Sequence, residues 1–460
     1  MKSFTELRDR YPLFSYHGYH MEETPEEVRF WYDFEIAGLA SFQPTWTIEK
    51  RFVPKWNERD EVIQKLVFSI GMVELSSYWK ITCSPLVEIH AAGLDEDQIA
   101  WWKKQYYWGL GEFFYTNGID ISLDEFMHIK TLGNHFSAAR GAYPLEGCLI
   151  PVGGGKDSIV TMELLKQIPG RQYAYVLNNR GATQASVDTA GFSDDQVVKV
   201  RRTLDPRMLE LNRQGYLNGH TPFSALVAFS ATLFAYVNRL QYVVLSNEDS
   251  ANESTVAGTL INHQYSKSFD FENDFHHYEK QYVGSGVYYF SLLRGWSEFQ
   301  IAREFARHSQ YFSVFRSCNA GSKQDAWCCL CPKCLFVYLI LSPFIDNDQL
   351  KAMFGEDLLE KQELYDNLEK LIGYQKEKPF ECVGSRAEIN TAICLTIQAI
   401  QARNATMPPL LAHYMTLPQY EEYRNQENRY TNYFNEHNLI PKQFLPLVKE
   451  GIVCRPSSKN

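Results

Sequence analysis

The stretch CLIPVGGGKDSIVTMELLK, residues 148–166, decides how the rest of the chain is read. An apolar run from Cys148 to Val152 stops at three consecutive glycines, and an amphipathic segment from Ile159 to Leu165 follows Lys156, Asp157 and Ser158. A strand that turns sharply into a helix leaves backbone N–H groups unpaired at the helix start. With the helix dipole behind them, those groups form a site for an anion. Gly153, Gly154 and Gly155 suit such a loop because glycine reaches positive φ and lets phosphate oxygens approach the backbone. Lys156 can neutralise phosphate charge, and Ser158 can donate its hydroxyl. Asp157, at the helix start, can cap it or hold Mg²⁺. A glycine-rich helix start without any ligand is the plain alternative.

The loop matches neither G-x-x-x-x-G-K-[ST] nor G-x-G-x-x-G, which sets aside two familiar nucleotide folds. Around it the chain alternates. Strands are expected at 148–152, 173–178, 197–201 and 242–246, with helices reaching Gln167, lying within or beyond 185–191, and covering 221–238. That series predicts an α/β fold with a doubly wound parallel sheet. Upstream, the aromatic and β-branched stretch 28–53 predicts short antiparallel strands. Val62, Leu66, Ile70, Val73 and Leu75 recur at helical spacing. Asp95 with Gln98 reads as the capped start of a second helix, which carries Trp101-Trp102 to Tyr107. Its aromatic residues read as core packing first and as a uridine-stacking surface second. Downstream of Pro343 the pattern turns helical and polar. The expected division is an N-terminal α+β domain over 1–143, an α/β nucleotide domain over 144–344 and a helical C-terminal region over 345–460.

Composition limits the function. A chain of 460 residues with 45% apolar and 14% aromatic residues can bury large cores. CLFVYLILSPF, 334–344, is too short to cross a bilayer, and the charged N-terminus MKSFTELRDRYPLF lacks a signal-peptide core. A cytoplasmic protein with no membrane partner is expected. A net charge of −10 argues against a large nucleic-acid footprint and for a small-molecule partner.

Further polar groups gather in the α/β region. SNEDSANE, 246–253, follows an apolar strand and supplies Asn247, Glu248, Asp249, Ser250, Asn252 and Glu253. Ligands bind at the carboxyl ends of strands in open parallel sheets, so these are candidates for Mg²⁺, ribose or substrate; a solvated loop is the alternative. NHQYSKSFDFE, 262–272, offers Gln264, Ser266, Lys267 and Ser268 for an acidic ligand. NGHTPFSALVAF contributes His220, Thr221 and Ser224, where a Thr-Pro helix start is also plain capping. Cys382 in FECVG reads as a small core residue first and as a base second.

The segment RSCNAGSKQDAWCCLCPKC brings Cys318, Cys328, Cys331 and Cys334 into a C-x9-C-x2-C-x2-C pattern, with Cys329 left over. Four thiolates at this spacing can close a tetrahedral structural zinc site. A Cys331–Cys334 redox pair and buried thiols are the alternatives.

Gly153 to Ser158 resembles the S-G-G-x-D-S pyrophosphate loop of the ATP pyrophosphatase (PP-loop) family, with glycine at the first serine. The cysteine arrangement resembles that of the cyano-deazaguanine synthases, which share this loop. A longer-range resemblance is to the UDP-N-acetylmuramoyl-L-alanyl-L-glutamate epimerase (MurL) family. LVFSIGMVELSSYWKITCSP (66–85), WWKKQYYWGLGEFFYTNGI (101–119), LIPVGGGKDSIVTMELL (149–165), GHTPFSALVAF (219–229), SNEDSANE, NHQYSKSFDFE, CPKCLF (331–336) and PFECVGS (379–385) carry it.

The resemblance implies an ATP- and Mg²⁺-dependent inversion of the terminal L-glutamate of UDP-MurNAc-L-Ala-L-Glu through an acyl-adenylate, for peptidoglycan synthesis. It implies Gly153, Gly154, Gly155 and Ser158 on the ATP phosphates, Lys156 offsetting their charge and Asp157 on Mg²⁺. Glu248, Glu253 and Lys267 then face the UDP-sugar peptide. Glu248, Glu253, His220, Lys267 and Cys382 are all open candidates for proton transfer. A deazaguanine-type or tRNA-modifying PP-loop enzyme and a noncatalytic adenine-nucleotide binding protein are the rival readings.

Overall fold

The computed structural model describes residues 2–255, 262 and 265–450. Gln264, one of the candidate polar residues, lies outside the described residues, as does the end of the C-terminal region. The strands are β1 (Leu13–Glu23), β2 (Glu27–Ile36), β3 (Ala40–Phe42), β4 (Thr45–Glu49), β5 (Leu86–Ile89), β6 (His128–Thr131), β7 (Cys148–Pro151), β8 (Gln172–Leu177), β9 (Val197–Thr203), β10 (Tyr242–Leu245) and β11 (Tyr288–Ser291).

All eleven belong to one mixed sheet in the order β11-β10-β7-β8-β9-β4-β2-β1-β5-β6, with β3 on β2. From β11 to β9 every pairing is parallel. β4 joins β9 antiparallel, so the sheet runs unbroken from the N-terminal strands into the α/β half. The fold is α/β.

Period-two patterning builds the N-terminal strands. Val28, Phe30, Tyr32, Phe34 and Ile36 of β2 are all buried and alternate with more exposed residues. They pack on helix Glu61–Trp79, whose N-cap Asp60 accepts from the Val62 N–H. The expected helix at Asp95 is Glu96–Gly109, opened by a full capping box with Gln98. Trp102 and Tyr106 are buried core residues. Four strands escape the sequence reading: β1 has an exposed, charged outer half that hides any alternation, and β5, β6 and β11 are too short for periodicity to register.

The parallel half has helices on both faces, and alternate residues of its strands divide between them. Leu149, Tyr175, Val198 and Val243 join the core of helices Glu61–Trp79 and Phe223–Val237. Ile150, Val176, Val197 and Val244 join the core of helices Lys156–Leu165, Glu298–Phe305, Pro332–Leu341 and Arg386–Ala402. The C-terminal region is helical, as its pattern predicts, and it packs into this second core.

The seam between the halves carries a buried ion pair. Glu74 is fully buried on helix Glu61–Trp79 and accepts from Arg202 Nη2 of β9 at 2.7 Å and from Trp46 Nε1 of β4 at 2.8 Å. Removing one partner of such a pair leaves a buried uncompensated charge. Arg202→Leu is expected to cost about 3–5 kcal/mol in chemical denaturation, and adding Glu74→Leu to recover part of it. A loss below about 1 kcal/mol would show that the pair does not hold the seam.

Candidate functional site

Reading the parallel half by chain order gives 3-2-1-4-5 from β9 to β11, so the strand order reverses between β7 and β10. A crevice opens at the carboxyl ends of strands where the order reverses. There a cleft of 350 Å³ is lined by Gly153, Gly155, Asp157 and Ser158 after β7, Asn247 and Glu248 after β10, and Lys267, Glu298, Arg316, Lys333 and Cys382 from later segments.

The three glycines have different physical roles. Gly154 has φ +84°, and a Cβ there would stand 3.0 Å from the Thr183 nitrogen. A Cβ on Gly155 would meet Ser317 Oγ at 2.8 Å. Gly153 has no atom within 4 Å of where its Cβ would be, so open space lies against its backbone. Ser158 donates to the Gly155 carbonyl at 3.0 Å, closing the first turn of the helix.

The carboxylate oxygens of Asp157, Glu248 and Glu298 lie within 4.8 Å of one another. Lys156 is buried and turned inward, where it donates to both Asp157 and Glu298, so its ammonium meets carboxylates on the inner side of the loop. Burial pushes the Glu298 carboxyl up to about 7 against the pull of Lys156, and the Asp157 charge adds to the push. Burial and then Asp157 raise Glu248 as well. Asp157 resists burial and stays below its ordinary range because of Lys156. Lys156 bonds to two of the three carboxylates while Lys267 and Lys333 act on the group from further away, and three hard oxygen donors this close together suit a divalent cation such as Mg²⁺.

Arg294 fixes the far wall. Fully buried, it donates to the carbonyls of Glu248 (2.7 Å) and Lys267 (2.6 Å) and pairs with Glu272 at 2.8 Å. Lys267 Nζ points to Cys382 Sγ at 3.1 Å. Burial opposes the Lys267 charge, but the Cys382 sulfur and Glu248 outweigh it and raise its pKa. Glu388 accepts the Glu298 N–H at 2.6 Å, which ties the C-terminal helices to the site.

Other candidates have structural partners. Glu253 accepts from Lys378 at 2.6 Å and does not line the cleft. Asp249 accepts from Asn435 at 2.6 Å and from Tyr433; Asn252 accepts the Phe269 N–H at 2.8 Å. Ser268 caps helix Phe269–Tyr278. His220 stands 3.5 Å from Glu112, outside the cleft lining, whereas Ser224 lines it. Cys382, read first as core, is half-buried at the cleft wall. Glu298 and Lys333 escaped the sequence reading: Glu298 sits inside the capping box of Ser297 and Gln300, and Lys333 lies between two cysteines.

Cys318, Cys328, Cys331 and Cys334 also converge, with sulfurs 3.9 Å (318–331), 3.7 Å (328–334) and 3.5 Å (331–334) apart. Those separations are far beyond a disulfide bond. Sulfurs about 2.3 Å from one tetrahedral zinc stand about 3.8 Å from each other, which these four match. The N–H groups of Gly321 and Cys328 donate to Cys318 Sγ, and that of Cys331 to Cys328 Sγ, as thiolates require. Cys329 turns away and donates to the Phe354 carbonyl at 3.3 Å.

A family profile described as the MurL N-terminal domain matches residues 5–292, and one described as the MurL C-terminal domain matches 314–425. The chain belongs to the MurL family. The N-terminal MurL match ends just past β11 and so covers the whole sheet; the C-terminal one takes in the cysteine cluster and the helices behind it. Three relatives are each named UDP-N-acetyl-alpha-D-muramoyl-L-alanyl-L-glutamate epimerase. That of Xanthomonas oryzae pv. oryzae is 35% identical over 345 residues, covering 72% of this chain and 74% of its own. That of Salinispora tropica is 32% identical over 401 residues, covering 84% and 85%. That of a Micromonospora species is 35% identical over 335 residues, covering 72% and 74%. No solved structure matches the chain.

The thiol geometry leads to a direct test. Protein purified without chelator is expected to carry one zinc per chain by elemental mass spectrometry, to lose it in Cys331→Ser and to keep it in Cys329→Ser. Wild-type protein without zinc, or equal loss in both variants, would reject a four-thiolate site.

Proposed function

We propose that this chain is a cytoplasmic epimerase that uses ATP and Mg²⁺ to invert the terminal L-glutamate of UDP-MurNAc-L-Ala-L-Glu, feeding peptidoglycan synthesis. The scaffold in this reading is a doubly wound, PP-loop-like α/β sheet. The observation that carries it is the glycine loop and the three carboxylates facing one cleft at the strand-order reversal. Membership of the MurL family and the names of its relatives supply the substrate.

A free α-carboxylate protects the neighbouring C–H, because deprotonation would put negative charge beside negative charge. ATP would supply the adenylyl group that neutralises this carboxylate as an acyl-adenylate, and Mg²⁺ would offset phosphate charge. The chain's part is to bind and orient. The open backbone at Gly153 and the N–H groups entering helix Lys156–Leu165 receive phosphate oxygens. Asp157, Glu248 and Glu298 would hold the cation, with Lys156 behind them limiting their mutual repulsion. Arg316 and Lys333 add positive charge at the cleft wall for an anionic substrate. The four-cysteine cluster would carry a structural zinc that sets Lys333 in place.

The deciding experiment incubates the protein with ATP, Mg²⁺ and UDP-MurNAc-L-Ala-L-Glu in D₂O. AMP together with deuterated D-glutamate after acid hydrolysis is the expected result. Asp157→Asn is expected to lower AMP formation at least about 100-fold with the fold intact. Unchanged L-glutamate without AMP would remove the epimerase reading and favour a deazaguanine-type or tRNA substrate; normal turnover by Asp157→Asn would remove the cation role.

A further inference from the structure

Among the described residues lining the cleft is a thiol to which adenylation gives no role. Cys382 lines the cleft, and Lys267 Nζ donates to its sulfur at 3.1 Å. Both partners are held from behind. The Lys267 carbonyl accepts from buried Arg294, which also grips the Glu248 carbonyl, and the Cys382 carbonyl accepts from Lys333. The pair thus keeps a set position beside the carboxylates. A cysteine against an ammonium is a thiolate environment, and a thiolate is the form that accepts a proton.

We propose that Cys382 is the catalytic base that takes the α-proton of the activated glutamate, with Lys267 as the positioning residue that keeps it a thiolate. The proposal rests on the epimerase reading. In the step, the Cα–H bond breaks, an S–H bond forms on Cys382, and the electron pair moves into the acyl group as an enolate. Water on the opposite face then delivers a proton to Cα, and the hydroxide left behind takes the proton from the Cys382 thiol.

Distance argues against Lys267 as the second proton donor. A carbon flanked on both faces by acid–base groups at about 3–3.5 Å needs those groups roughly 6–7 Å apart. Lys267 and Cys382 are 3.1 Å apart, so they act from one face. In this proposal the opposite-face proton is drawn from water.

Two readouts test this. The first compares α-deuterium incorporated per AMP formed, in D₂O, for wild type and Cys382→Ser. A fall of at least about 100-fold in that ratio is expected, because a serine hydroxyl is not ionised near neutral pH. An unchanged ratio overturns the role of Cys382. Wild type that forms neither AMP nor deuterated product overturns the epimerase reading itself, a different failure.

The second readout needs no turnover: peptide mapping of iodoacetamide alkylation against pH in the intact chain. Cys382 faces the Lys267 and Lys333 cations, with Glu381 adjacent in sequence and Glu248 and Asp157 beyond Lys267. Its alkylation midpoint is expected below that of an ordinary thiol at about 8.5, and to rise toward that value in Lys267→Met. A wild-type midpoint at or above that value overturns the thiolate pair. A substrate-mass adduct on Cys382 after acid quench would make it an acyl-accepting nucleophile and also overturns its role as base.

Discussion

Three carboxylates crowd together in the cleft, two of them bonded to the buried Lys156 ammonium, and the arrangement of the cleft follows from that crowding. Lys156 cannot enter the interior as a charge without Asp157 and Glu298, and neither acid is tolerable so close to Glu248 without Lys156. The group needs three chain segments to end within a few ångströms of one another: the start of helix Lys156–Leu165, the start of helix Glu298–Phe305 and the end of β10. A parallel sheet whose strand order reverses between β7 and β10 delivers two of those ends to the same crevice. The third arrives because Glu388 holds the Glu298 backbone N–H.

The N-terminal strands extend the same sheet. β4 continues the hydrogen bonding of β9, and Glu74, Trp46 and Arg202 seal the join with a buried polar cluster whose long-range contacts no local pattern encodes. Helix Phe223–Val237 packs on helix Glu61–Trp79 within this core, and Phe223 and Ser224 at its start line the cleft. The N-terminal half thereby supports one wall of the site through a rigid layer.

The cysteine cluster serves the opposite wall. Asp325, within the same loop, accepts the N–H groups of Gly181 and Ala182 at 2.9 and 3.1 Å, capping the helix that Gly154 packs against. Lys333 projects from between Cys331 and Cys334 to the Cys382 carbonyl. A metal bound by these thiolates would order both contacts at once, which connects a structural site to the geometry of the reactive one.

Local chemistry made much of the molecule legible. The run from Cys148 to Leu165 announces strand, turn and helix through an apolar stretch, three glycines and helical periodicity; Asp95 and Gln98 announce a capping box; and the cysteine spacing announces convergence on one point. Each of these is encoded within about twenty residues, where turn chemistry and periodicity act. Tertiary structure alone decided that Lys156 turns inward to Asp157 and Glu298, that Glu253 goes to Lys378, and that Cys382 meets Lys267 from 115 positions away. It also decided the place of Glu298, which in sequence is only the first residue of a capped helix. Those outcomes depend on which chain ends the sheet order brings together, and on the cost of burying charge without a partner, neither of which has a period or a spacing to read.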